Sequence, residues 1–208
     1  MSVKSIAVLV SGGGSNLQSL IDEIHGFYGR IVLVVSDTPE AYALQRAQNA
    51  DIATEVVDYT VYSDKSLFYD ELLHLLQGHE PDLIVLAGFM KILPGKFYEA
   101  FPNKIINVHP ALIPSFCGKG YYGIKVHEAV LAYGAKVTGV TVHFADDKAD
   151  HGPIILQQCV PVHQDDTPEV LQQRVLKTEH QLLPKAVKLF LQDRLAVEGR
   201  DVRVLDEK

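Results

Sequence analysis

Apolar residues recur along this chain in two alternating patterns, short unbroken runs and stripes at helical spacing. Ser5–Val10 (SIAVLV) predicts a buried strand that Gly12-Gly13-Gly14 ends. Leu17, Leu20, Ile21 and Ile24 then follow the period of a helix over Asn16–Ile24. Arg30–Val35 predicts a second strand, Ala41–Asn49 a helix and Thr54–Val57 a short strand. The stripe Leu67, Phe68, Leu72, Leu75 and Leu76 marks a helix over Asp64–Gly78. Asp82–Ala87 predicts another fully apolar strand, followed by a short helix over Pro94–Phe101 and a strand over Lys104–Val108.

The second half reads differently. Val137–Phe144 (VTGVTVHF) alternates like a strand with two unlike faces, and Pro153–Val160 reads as its partner. Asp165–Leu191 predicts one long helix with Thr167 as N-cap and Pro168 in the first turn. The segment RLAVEGRDVRVL predicts a hairpin turning at Glu198-Gly199. Alternating strands and helices imply a parallel sheet covered on both faces. The expected class is α/β, a Rossmann-like three-layer fold with a mostly parallel sheet, helices on both faces and an antiparallel extension in the C-terminal half. No repeat, low-complexity segment or linker interrupts the pattern. One domain over 1–208 is therefore expected, with halves of about 1–100 and 101–208.

Composition narrows the partners. An apolar content of 47% suits a compact core, and a net charge of −7 argues against broad phosphate neutralisation on a nucleic acid. Any anion site must then be local. Cys117 and Cys159 form no metal or disulfide motif, and the N-terminal apolar run is too short to cross a bilayer. A cytoplasmic location is expected, with no membrane partner.

Ligands of such sheets collect beyond the carboxyl ends of strands. There the chain carries SGGGSNLQ, which runs from strand into helix. Glycines allow close backbone approach, and the N–H groups of a helix start point at an anion, with Ser15 and Asn16 adding donors. No Gly-Lys-Ser/Thr follows, and Leu17 stands where a dinucleotide fingerprint needs its last glycine. One phosphate group fits; so does a tight turn with Ser15 or Asn16 as a plain helix cap.

The segment IINVHPALIPSF places Asn107 and His109 two apart at a strand end, on one face. A carboxamide can steady an oxyanion and an imidazole can move protons near neutral pH, as acyl transfer requires. A turn-capping Asn and a rim His would read the same way. A carboxylate beside the imidazole would favour its charged form. The loop DDKADHGP offers Asp146, Asp147 and Asp150, and position alone does not choose among them. His25, His74, His79, His127 and His163 read as surface residues, His143 as a strand residue, and His180 as mid-helix. No His/Cys cluster suggests a metal, and no nucleophile elbow suggests a covalent intermediate.

Together SGGGSNLQ, PDLIVLAGFMKILP, NVHPALIPSF, KVTGVTVHF, DHGPIILQ and EHQLLP, spread from Val8 to Pro184, resemble the phosphoribosylglycinamide formyltransferases of the folate-dependent formyltransferase family. The resemblance implies transfer of the formyl group of 10-formyltetrahydrofolate to the amine of glycinamide ribonucleotide. The products would be formylglycinamide ribonucleotide and tetrahydrofolate, in purine biosynthesis. It implies Asn107, His109 and Asp150 as the catalytic set, with His109 as general acid. Gly14, Ser15 and Asn16 would hold the ribonucleotide phosphate, and Glu179 the glycinamide part. Lys65, Met90, Lys91, Ile92, Leu93, Asn107, Asp146 and Asp147 would contact folate, the loop 145–149 through its backbone. The N-terminal half would thus bind phosphate, and the C-terminal half would carry catalysis and folate binding. The co-substrate is 10-formyltetrahydrofolate, no metal or nucleic acid is implied, and the chain would be a monomer or weak homodimer.

This sequence departs from the family pattern in places. Lys65 and Lys91 stand where relatives usually have Arg, which loses the bidentate fork. Gly12-Gly13-Gly14 replaces a run such as Gly-Asn-Gly. CGKGYYGIKVHE is longer and Tyr-rich, as a lid or pocket wall would be, and puts His127 near a family His close to the active site. His151 replaces a small residue. Rival expectations are a formyltetrahydrofolate hydrolase or another formyltransferase on this scaffold, and a non-catalytic nucleotide- or folate-binding module.

Overall fold

The computed structural model describes residues 3–206. Its elements are β1 (Ser5–Val10), α1 (Ser15–Glu23), β2 (Arg30–Ser36), α2 (Tyr42–Asn49), β3 (Thr54–Val56), α3 (Lys65–His79), β4 (Leu83–Leu86), α4 (Gly95–Ala100), β5 (Ile105–His109), α5 (Ile124–Tyr133), β6 (Val137–Phe144), β7 (Ile154–Pro161), α6 (Pro168–Leu191), β8 (Leu195–Glu198) and β9 (Asp201–Val204). Seven strands pair in the order β3-β2-β1-β4-β5-β6-β7, and β8 with β9 forms a separate hairpin. The chain divides into two compact units at the Ile106/Asn107 boundary. Among the described residues no helix is long and apolar enough to cross a membrane.

In the first unit β1 pairs in parallel with β2 and β4, and β2 with β3. Residues Ile6–Val10 and Leu83–Val85 are fully buried, so both faces of these strands are covered, as their unbroken apolar runs require. Leu17 and Leu20 of α1, Ala43 and Ala47 of α2, and Phe68, Leu72 and Leu76 of α3 supply the apolar stripes of the covering helices. The Asp64 carboxylate caps α3 by accepting from the Ser66 N–H.

In the second unit β6 and β7 pair antiparallel. β6 corrects the expectation of a two-faced strand: Thr138–Phe144 is buried throughout. Its polar alternates Thr141 and His143 are buried with hydrogen-bond partners, so alternation here distinguishes two kinds of interior. Thr167 caps α6 as expected, accepting from the Val170 N–H. Glu198 pairs with Asp201, which moves the turn of the last hairpin one residue on, to Gly199-Arg200. A second correction concerns His127. It lies on α5 but is 1% exposed, a core residue instead of a surface one.

Candidate active site

The glycine loop of the first unit leads directly into α1. Gly14 is the residue preceding the helix, with φ of +69°, and no side chain caps the first turn. Gly14, not Ser15 or Asn16, therefore holds the cap position, and glycine brings no side-chain acceptor to it. A Cβ on Gly14 would stand 2.6 Å from Cβ of Ala43, so the loop lies against α2 as closely as glycine allows. A Cβ on Gly12 or Gly13 would meet nothing within 4 Å, so this side of the loop backbone faces open space. No acidic residue occupies the first turn. Arg46, which sequence reasoning missed, donates from Nε to the Gly13 carbonyl at 2.8 Å and from Nη1 to Gln18 at 3.0 Å. An open helix start beside a guanidinium suits a small anion.

The same unit holds Lys65, Met90, Lys91, Ile92 and Leu93. Lys65 is the first residue of α3, and its ammonium donates to the carbonyls of Tyr59 and Tyr62 at 2.8 and 2.7 Å. Both Lys65 and Lys91 lie over the Tyr59 ring, 4.3 and 4.5 Å from its centre. Lys91 also forms an ion pair of 2.8 Å with buried Asp37. Met90 and Ile92 are about half exposed, Leu93 is buried, and the Met90 N–H donates to Ser11 Oγ.

The second unit brings Asn107, His109 and Asp150 together. Asp150 Oδ2 lies 3.5 Å from His109 Nδ1, and Asn107 Nδ2 donates to Asp150 Oδ1 at 3.4 Å. Of the three loop carboxylates, Asp150 is therefore the one at the imidazole. Its backbone takes a left-handed φ of +52°, and a Cβ on Gly152 would overlap the Phe144 carbonyl at 1.9 Å. The loop is thus pressed against the end of β6, and this turns the carboxylate toward His109. Thr141 holds the His109 loop from below. Its hydroxyl donates to the Ala111 carbonyl at 2.7 Å and accepts from the Ile113 N–H and Gln157 Nε2. Asp146 and Asp147 are not at the imidazole. Asp146 accepts from the Lys148 N–H and from His151, and Asp147 is exposed.

Three participants were not visible in the sequence. His143 stands 3.1 Å from Asn107 Nδ2 and 3.8 Å from Asp150 Oδ1. Its Nδ1 donates to the Phe144 carbonyl, which leaves Nε2 as the acceptor for Asn107. Burial lowers its pKa, and the Phe144 and Asp150 oxygens do not offset that, so the ring is neutral as this pattern needs. The Phe116 carbonyl accepts from His109 Nε2 at 2.9 Å, and the Gly118 N–H donates to Asp150 Oδ2 at 2.8 Å. The Gly118 N–H comes from the Tyr-rich stretch and the Phe116 carbonyl from the residue just before it, whose ring packs edgewise on Tyr121 and Tyr133. The sequence offered a strand-phase signal for His143 and none for the two backbone groups.

His109 is 4% exposed, with one nitrogen on a carbonyl and the other facing a carboxylate. Both ring nitrogens therefore face oxygen acceptors. His127 is pushed down to about 4 by burial and then by the His109 charge, so it stays neutral behind the site. Cys117 is raised by burial and by Asp150, which suppresses a thiolate. Glu179 is buried on α6. Among the described residues no group of three His, Cys, Asp or Glu could hold a metal ion.

Comparison with known proteins extends this picture. The formyl transferase family matches residues 4–187. Phosphoribosylglycinamide formyltransferase of Haemophilus influenzae is 38% identical over 99% of this chain and 95% of its own length. The chloroplastic phosphoribosylglycinamide formyltransferase of Vigna unguiculata is 40% identical over 92% of this chain, which spans only 62% of that longer protein. The crystal structure of glycinamide ribonucleotide transformylase 1 from Symbiobacterium toebii superimposes with a TM-score of 0.92 at 42% identity, covering 98% of this chain and 95% of that one. The chain therefore belongs to the formyl transferase family, among its phosphoribosylglycinamide formyltransferases.

Proposed function

We propose that this chain transfers the formyl group of 10-formyltetrahydrofolate to the primary amine of glycinamide ribonucleotide. The observation that carries this reading is the buried group of Asn107, His109 and Asp150, which supplies an amide donor, an imidazole and its countercharge at one place. Family membership adds the substrate class. The amine lone pair attacks the formyl carbon, and a C–N bond forms while the carbonyl oxygen gains charge. Asn107 Nδ2 meets that charge by giving up its long 3.4 Å bond to Asp150 and keeping the 3.1 Å bond to His143. His109 donates toward the same oxygen once its Nε2 leaves the Phe116 carbonyl, and Asp150 steadies the charged ring. The bond from the carbon to the folate nitrogen then breaks. The surplus amine proton passes to that nitrogen through His109 or water.

One nucleotide needs a phosphate anchor as well as a transfer centre. Gly14, Ser15 and Asn16 at the start of α1 are proposed for the anchor, with Arg46 nearby, and Glu179 for the glycinamide part. Met90 and Ile92 offer apolar surface, and Lys65 and Lys91 positive charge, to the folate. The ammonium groups replace a guanidinium fork by point charges, so folate carboxylates would be held with less directional preference.

The test mixes the chain with formylated folate and glycinamide ribonucleotide and follows the absorbance of the released folate. Release that requires the ribonucleotide is expected. Release without it would identify a hydrolase, and binding of both ligands without release would identify a non-catalytic module.

A further inference from the structure

The hairpin of β8 and β9 lies beyond the stretch matched by the family, which ends at residue 187. Its turn residue Arg200 reaches the loop that carries Asp150. Arg200 Nη2 donates to the His151 carbonyl at 2.8 Å. Its Nη1 stands 3.4 Å from His151 Nδ1 and 3.3 Å from Nε2. A position in the ring plane equidistant from both nitrogens would collide with the carbon between them, so Nη1 lies over the ring face. The His151 ring is also fixed at its edge: Nδ1 donates to Asp146 Oδ2 at 2.7 Å, while Asp146 Oδ1 accepts from the Lys148 N–H. Asp146, His151 and Arg200 thus form a clasp across the loop from both ends.

Asp150 sits inside that clasp in a left-handed conformation, which residues other than glycine rarely adopt and which the surroundings help to hold. Gly152 imposes it from one side, through the close approach to the Phe144 carbonyl. One residue beyond Asp150, the His151–Gly152 peptide is also held through the His151 carbonyl, and that hold comes from Arg200. The planar guanidinium is suited to this double task, one edge donating to a carbonyl and the plane lying on an imidazole.

We propose that Arg200 is a positioning residue for Asp150, acting through His151 to keep the carboxylate aimed at His109. The catalytic half of this inference rests on the formyl-transfer reading above. Arg200 is proposed to touch neither substrate nor reacting atoms, so its loss should change turnover and leave ribonucleotide binding alone. In Arg200→Ala, kcat should fall roughly tenfold, less than the about 100-fold that misplacing a group by 1 Å can cost. KM for the ribonucleotide should stay within about twofold. Arg200→Lys can still donate to the carbonyl but cannot stack, so it should recover kcat to within about threefold of the parent. Hydrogen–deuterium exchange across residues 145–152 should accelerate in Arg200→Ala, with the thermal midpoint unchanged.

Unchanged exchange in that segment would overturn the proposal, and so would faster exchange with kcat at the parent value. Absence of transfer by the parent chain would instead strike the formyl-transfer reading. The exchange comparison would then decide by itself whether Arg200 holds the Asp150 loop.

Discussion

The two units carry their candidate chemistry in opposite ways. In the first, the proposed phosphate anchor is one continuous stretch, Gly12–Asn16, whose donors are the backbone at the start of α1. In the second, the proposed transfer centre draws on β5, the 115–118 stretch, β6 and the loop before β7. An anion needs only N–H groups pointing one way, which a single turn provides. Proton transfer beside a developing charge needs an acid, its countercharge and an amide donor, and no single turn supplies all three. On the proposed reading, the first unit grips the phosphate and the second carries turnover.

The sharpest way to break that division is to empty the second. His109→Ala should lower kcat by about 10²–10⁴, the usual worth of a general acid. Asn107→Ala should lower it by about 10²–10³. In both, KM for the ribonucleotide should change little. Steady-state kinetics that moved KM instead of kcat would dissolve the contrast.

In the first unit, Gly14→Ala should have the reverse signature. The left-handed φ and the overlap with Ala43 would force the loop off its path. KM for the ribonucleotide should rise about tenfold for a loss of roughly 1.4 kcal/mol of binding, with kcat nearly unchanged. Inorganic phosphate should lose its competition with the ribonucleotide in the same variant.

A smaller effect is expected beneath the transfer centre. Thr141→Val leaves the buried Ile113 N–H without its acceptor, a cost of about 1–3 kcal/mol in stability. Denaturant unfolding should show it, with only a several-fold fall in kcat.

The smallest effect concerns pH. His127 has its folded pKa lowered to about 4 from an ordinary value of 6.5. The unfolded chain therefore binds the proton that the folded chain refuses, and stability falls as pH drops from 6.5 toward 4. His127→Gln should flatten that part of the stability curve measured by chemical denaturation. Some slope should remain, because burial lowers His143 in the same direction.

The first unit was legible because its signals are local. SIAVLV and DLIVLA are buried on both faces and read as such, and the glycine loop announces itself between a strand and a helix. What escaped there was Arg46, which meets the loop only because α2 packs on Gly14. In the second unit the spacing put Asn107 and His109 on one face without choosing their role, and the family resemblance singled out Asp150. His143 was not legible, because its phase in β6 says only that it points inward, and its partner Asn107 is thirty-six residues away. His127 was misplaced for a related reason. A polar residue type on a helix suggests solvent, and only tertiary packing reveals that its face is covered. The Phe116 carbonyl and the Gly118 N–H could not be read at all, since every residue but proline carries the same two groups.

The central claim is that one carbon passes directly from folate to amine at the His109–Asp150 pair. A formyl group labelled with ¹³C on the folate tests it most directly, by following the label with NMR in the parent chain and in Asp150→Asn. The parent should place the label on the amine of the ribonucleotide, one for each folate released, and Asp150→Asn should do so at least about a hundredfold more slowly, as loss of proton-transfer machinery predicts. Label appearing as free formate in the parent, or transfer at the parent rate in Asp150→Asn, would contradict it.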